Sequence, residues 1–319
     1  MIDKEDIRKK KAQELIKNYY VQNNRKNYFA DLENMAARLP NDYKRICESF
    51  IYNLNGVLST VSMPVAMVSI IVSNYRVHEL FRHHGMKQII DGVISAKHID
   101  AKIEAEWYEA AGKLYEEEIA SKGEAFHGIT DRINDLLLRI HKHKEFEIAA
   151  SELILQGVVL TWGAFEVLCR DFFISYINLN PSKAYDLIAN ENTKKYYDRK
   201  NIDIELLHNY NYNLSTSMGE VLCEMHDLVN INSIRNIYKS LFNSNDNLTQ
   251  KLIDSNIWFL NQKRHLIVHQ MGIVDKKFID NTGLDIPIGS KLKVTPETLE
   301  NYIFAVKDTG FEILNNVCP

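Results

Sequence analysis

Glycine, proline and cysteine are all scarce in this 319-residue sequence, with 13, 6 and 4 residues respectively. So few Gly and Pro favour helices over a turn-rich all-β fold. The cysteines, Cys47, Cys169, Cys223 and Cys318, lie far apart. No C-x-x-C pair is present, so neither a zinc knuckle nor a redox motif can be read. An excess of basic charge is also missing, since the formal net charge is -4. A general nucleic-acid binder carries an overall positive field, so any action on RNA needs a local one. The opening Met-Ile-Asp-Lys-Glu-Asp is charged. No secretory leader is therefore expected, and the cysteine usage fits a reducing cytoplasm.

Long apolar runs are rare as well. The stretch from Val57 to Val72 carries no charge, but it is shorter than the ~20 residues of a spanning helix. Pro64, Ser59, Thr60, Ser62 and Ser69 interrupt it. The expectation is a buried core segment, either strand or broken helix, and no membrane association.

What remains is helical periodicity in a chain of ordinary globular composition, 45% hydrophobic and 25% charged. The spacing predicts helices over 3–22, 27–38, 41–54, 75–92, 98–120, 126–140 and 145–178. Further helices are expected over 217–243 and 247–271, with Gly272 as a stop, and from Pro296 to Val317 with Thr295 as N-cap. The helix over 145–178 is apolar on nearly every face from Leu153 to Phe173, so it should be central and buried. Ser121-Lys122-Gly123 is the best break. It divides the chain into a mainly helical region, 1–122, of unread role and a helical domain, 123–319. The fold class is all-α.

The chemistry concentrates in residues 247–271. Ile253, Ile257, Leu260, Ile267 and Met271 step by four, three, seven and four, a core stripe in which Arg264 fills the gap of seven. A buried, unpaired guanidinium is very costly, so Arg264 needs an acidic partner or a cleft that receives an anion. Trp258, Gln262, His265 and His269 share the adjacent face. His269 falls in the last turn, where the helix dipole favours a protonated ring. Two histidines can move protons during phosphodiester cleavage, and an arginine can stabilise the charged transition state. A metal pair is the weaker reading, because the third ligand and the His-Glu-x-x-His pattern are absent. Spacing alone leaves two readings open: a proton-transfer site, or surface histidines beside an arginine paired with a core carboxylate.

The text from Asn261 to Asp275 resembles that of HEPN domains (higher eukaryotes and prokaryotes nucleotide-binding). Arg264 and His269 match the family's Arg, four residues, His motif, and His265 matches its polar residue. Trp162-Gly163-Ala164-Phe165-Glu166 on the upstream helix is also similar. So is the closing Gly289-Ser290-Lys291-Leu292 into Thr295-Pro296-Glu297. The likeness covers roughly 125–319. It implies a small helical bundle that dimerises through its motif helices around one composite site. The implied activity is metal-independent endoribonuclease cleavage without a cofactor, in a toxin, abortive-infection or antiviral defence system. RNA, a second copy and an antitoxin or defence protein are the implied partners. Arg264 and His269 would be the catalytic pair, with His265, Asn261 and Lys263 in support. The alternative is a non-catalytic HEPN module that binds RNA, nucleotide or a protein.

Two further features carry choices. Glu166 pairs either with Arg264, orienting it, or with Arg170 four residues on. Lys194, Lys195, Tyr196, Tyr197, Arg199 and Lys200 form a basic-aromatic cluster that suits an RNA strand, or else a solvated helix end.

Overall fold

Fourteen α-helices and no β-strand make up the described residues, 4–22, 28–197 and 204–318, of a computed structural model. In order they are α1 (Lys4–Tyr19), α2 (Ala30–Ala36), α3 (Asn41–Ile90), α4 (Ala101–Ser121), α5 (Glu124–His141), α6 (Lys144–Leu179) and α7 (Lys183–Ala189). There follow α8 (Ile204–Asn209), α9 (Met218–Met225), α10 (Ile231–Leu241), α11 (Asp246–Leu252), α12 (Ser255–Gln270), α13 (Lys276–Thr282) and α14 (Pro296–Asn315). The all-α class therefore holds. The only ladder pairing among them is an isolated antiparallel bridge between Ile273 and Lys291.

The described residues divide into two compact units that interleave along the chain. One holds 4–22 and 61–151, the other 28–60 and 152–318. α3 and α6 each run from one unit into the other. The break at 121–123 is present as the junction of α4 and α5, with Lys122 in the left-handed region. That junction lies inside the first unit, because α4 and α5 pack on each other.

The first unit combines α1, the second half of α3, α4, α5 and the first turns of α6. Tyr20, Val68, Val72, Ile129, Leu137 and Ala150 form its buried cluster. Ion pairs tie the helices together: Arg8 to Asp135 at 2.7 Å, Arg76 to Glu118 at 2.6 Å and Arg132 to Glu79 at 2.9 Å. α3 is one continuous helix through Pro64, not a strand or a broken helix. Proline removes one backbone hydrogen bond. Burial of Val57, Leu58, Val61, Val68 and Val72 on both sides of it offsets that loss. Only one face of the uncharged run is buried, which narrows the core-segment expectation.

The second unit is built on α6. Trp162, Phe165, Leu168, Cys169, Phe172 and Phe173 are all fully buried, as their continuous apolar pattern predicts. Tyr238 Oη on α10 donates to the Cys169 carbonyl at 2.6 Å. α14 begins as its sequence predicts, with Thr295 accepting from the Thr298 amide and Pro296 in the first turn. Its Gly310 lies where a Cβ would stand 2.4 Å from Phe50 Cε1 on α3. By length and composition alone, α3 and α6 could cross a membrane, with 33% and 50% of their apolar windows buried.

Three segments depart from the spacing-based reading. The 217–243 stretch is two helices, because Asn230 caps α10. The 247–271 stretch is also two, because Asp254 accepts from the Asn256 amide at 2.7 Å and starts α12 afresh. The segment after Gly272 is not all loop: Asp275 caps α13 and Gly283 ends it in the left-handed region.

Candidate functional site

α12 carries the site in the second unit. The Asp254 cap sets its first turn, and no Gly or Pro interrupts it before Gly272. Ile257, Leu260, Leu266 and Ile267 are buried. Ile253 and Met271 are exposed and leave the core stripe, since Ile253 ends α11 and Met271 adopts a left-handed backbone. The stripe shortens to Ile257, Leu260 and Ile267, and Arg264 still sits inside it.

Arg264 meets an acid. Its Nη2 lies 3.8 Å from Glu166 Oε2, with the arginine side chain 23% exposed. Trp162 Nε1 donates to the same carboxylate oxygen at 3.0 Å. Trp162 and Glu166 are one turn apart on α6, so the indole holds the carboxylate toward α12. Arg170 takes the other available acid, Asp171, at 2.9 Å. Burial raises the Glu166 pKa, while Arg264 and the Trp162 hydrogen bond pull it down. The pair is too long for a direct hydrogen bond. The guanidinium therefore keeps donors free for a second anion.

His265 and His269 stand on the exposed face, with ring centroids 4.4 Å apart. Burial lowers the His265 pKa, and His269, Lys277 and Arg264 lower it further, against Asp275. The ring is thus a proton acceptor near neutrality. Those two charges come from Lys277 in α13 and from Asp275 at its N-cap. An Asn281 Nδ2 to Gln262 Oε1 hydrogen bond of 3.3 Å ties α13 to α12, and Phe278 of α13 is buried. The Asp275 cap and the Gly283 stop were the readable signals of these neighbours.

The supporting residues divide. Asn261 is half-buried, one turn before both Arg264 and His265. Lys263 turns the other way, toward α14, with Nζ 5.2 Å from the Tyr302 ring centroid. Burial lowers its pKa to about 8. It does not share the histidine face.

The basic-aromatic cluster is corrected in part. Tyr197 is 3% exposed, so its ring cannot stack on a base. Tyr196 stacks on His226 at 4.4 Å, and its hydroxyl accepts from Asn236 Nδ2. Lys194 pairs with Glu191 at 2.5 Å, and Lys195 lies over the Tyr196 ring. Both rings are used for internal packing, which residue spacing does not reveal. Arg199 and Lys200 lie outside the described residues.

No group of three or more His, Cys, Asp or Glu side chains placed to hold a metal occurs among the described residues. Comparison with protein-family models, curated proteins and solved structures finds no match for this chain, so the reading of the site rests on its own residues.

Proposed function

We propose that the chain is a HEPN-type, metal-independent endoribonuclease, working as a cytoplasmic homodimer in which α12 and its copy frame one composite site. The observation that carries this reading is Arg264, placed on a core stripe opposite Glu166 and beside two exposed histidines one turn apart. In the reaction, one imidazole accepts the proton of a ribose 2′-hydroxyl. The hydroxyl oxygen attacks the adjacent phosphorus, and a second imidazole, protonated, gives its proton to the departing 5′-oxygen. The products are a 2′,3′-cyclic phosphate and a 5′-hydroxyl. Arg264 donates to the phosphoryl oxygens as charge builds on them, and Glu166 keeps the guanidinium in place. DNA lacks the attacking hydroxyl, so RNA is the substrate. A toxin or anti-phage effector, held in check by an antitoxin or defence protein, is the biological setting we assign to it.

The test is incubation of purified chain with single-stranded RNA in EDTA. Wild type should cut, leaving 2′,3′-cyclic ends, and Arg264→Ala or His269→Ala should slow cutting by at least about 100-fold. Equal cutting by the variants, or none by wild type in EDTA, contradicts the proposal. RNA binding without cutting would point to the non-catalytic module.

A further inference from the structure

α3 carries an exposed face that its composition does not explain. Met63, Met67, Ile70, Ile71 and Tyr75 recur at helical spacing on this face of the first unit, each 48 to 59% exposed. Ala66 and Asn74 are exposed between them, and no charge falls on the face until His78 and Arg82. An outward helix face in water is ordinarily charged. The neighbouring helices obey that rule: α4 exposes Glu104, Glu106, Glu109, Lys113, Glu116 and Glu117, and α5 exposes Asp131, Arg132 and Arg139. The omission of charge sets this stripe apart from the outer faces of α4 and α5. The buried side of the same helix contributes Val68 and Val72 to a cluster with Tyr20, Ile129, Leu137 and Ala150.

We propose that this face of α3, from Met63 to Tyr75, is the contact surface for a second copy of this chain. Area supports it. At roughly 200 Å² per large side chain, five half-exposed ones offer roughly 550 Å². With Ala66 and Asn74 the face reaches the range of about 600–1,000 Å² per partner that a stable interface takes. Charge supports it too. In a two-fold pair the same surface meets itself, so a charged stripe would repel its copy, and this one has no charge to repel. An antiparallel pairing about an axis near Ser69 sets Met63 against Tyr75 and Met67 against Ile70 and Ile71 of the other copy. A groove of about 350 Å³ between α3 and α5 borders this face, and there Arg132, Asp135 and Arg139 of α5 form a charged rim opposite Ile71 and Tyr75. The surface lies on α3 and owes nothing to the ribonuclease reading.

Sedimentation of the full chain tests it. Wild type should lose one doubling of mass in the Met67→Lys/Ile70→Lys variant, from dimer to the 37.0 kDa monomer, or from tetramer to dimer if α12 also pairs. Helix content should not change. In a Cys223→Ser/Cys318→Ser background, Met67→Cys should give a covalent dimer with a short bis-maleimide, and Glu109→Cys should not. Equal masses for variant and wild type, a monomeric wild type, or no cross-link through residue 67 would each overturn the proposal. So would wild-type binding to phosphatidylcholine vesicles that the variant loses while its mass is unchanged. RNA cleavage is read separately, so failure of one proposal does not pass to the other.

Discussion

α12 puts a guanidinium where Ile257, Leu260 and Ile267 call for an apolar side chain, whereas α3 puts Met63, Met67, Ile70 and Ile71 where water calls for charge. Both helices depart from amphipathic patterning, but in opposite directions. On α12 the departure is met inside the same unit, by Glu166 and the indole of Trp162. On α3 nothing in the described residues meets it. A polar side chain in a core stripe must find its partner locally or the fold suffers, since desolvating an unpaired charge is costly. An apolar side chain on a surface carries only a modest cost, which a partner molecule can remove. The two kinds of departure therefore point to different functions: chemistry in the first case, association in the second.

The comparison can be sharpened by variants, starting with the largest expected change. Lys263 is a second cation on the inward arc of α12, without a carboxylate partner among the described residues. Its pKa is about 8 in the folded chain against 10.5 in the unfolded. The unfolded state thus binds more protons between those values, and stability should rise with pH from about 8 to 10.5. Below pH 8 the full cost is present, roughly 3 kcal/mol. Lys263→Met should raise stability at pH 7 by up to that amount and flatten the rise. Denaturant melts at pH 7 and pH 10 check both signs, and a variant less stable than wild type at pH 7 breaks the account of that arc.

On α3 the contrast is between neighbours. Val68→Ala should cost roughly 2 kcal/mol, because it opens a gap in the buried cluster. Met67→Ala, one residue away on the open face, should stay within about 0.5 kcal/mol when melted in dilute, dissociated protein. Equal losses would mean the face is covered within the chain. At the start of α12, Asp254→Ala should cost about 1 kcal/mol through loss of the cap. The smallest effect concerns pH. Removing the Lys277 ammonium relieves one of the forces holding the His265 pKa down, so Lys277→Met should move the acidic limb of the cleavage profile to higher pH. A limb unmoved or shifted lower would separate α13 from the site.

Much of this was legible in residue order. The caps at Thr295 and Gly272, the apolar saturation of α6 and the anomaly at Arg264 are local patterns, and each has its structural counterpart. What escaped was set by shortness or by tertiary contact. α13 has seven residues, too few for a period to emerge, although its cap and stop were visible. The continuity of α3 depends on burial on both sides of Pro64 outweighing one lost hydrogen bond. Tyr197 fitted either an RNA-stacking residue or a solvated helix end and is neither, because burial cannot be read from neighbours in sequence. That Glu166 faces Arg264, while Arg170 pairs with Asp171, likewise needed the approach of α6 to α12.

Arg264→Met tests the central claim most directly, since it restores the apolar stripe and removes only the charge. The account predicts a chain that folds at least as stably as wild type and cuts RNA at least about 100-fold more slowly in EDTA. A folded Arg264→Met chain that cuts as fast as wild type would show that the arginine is only half of an internal ion pair.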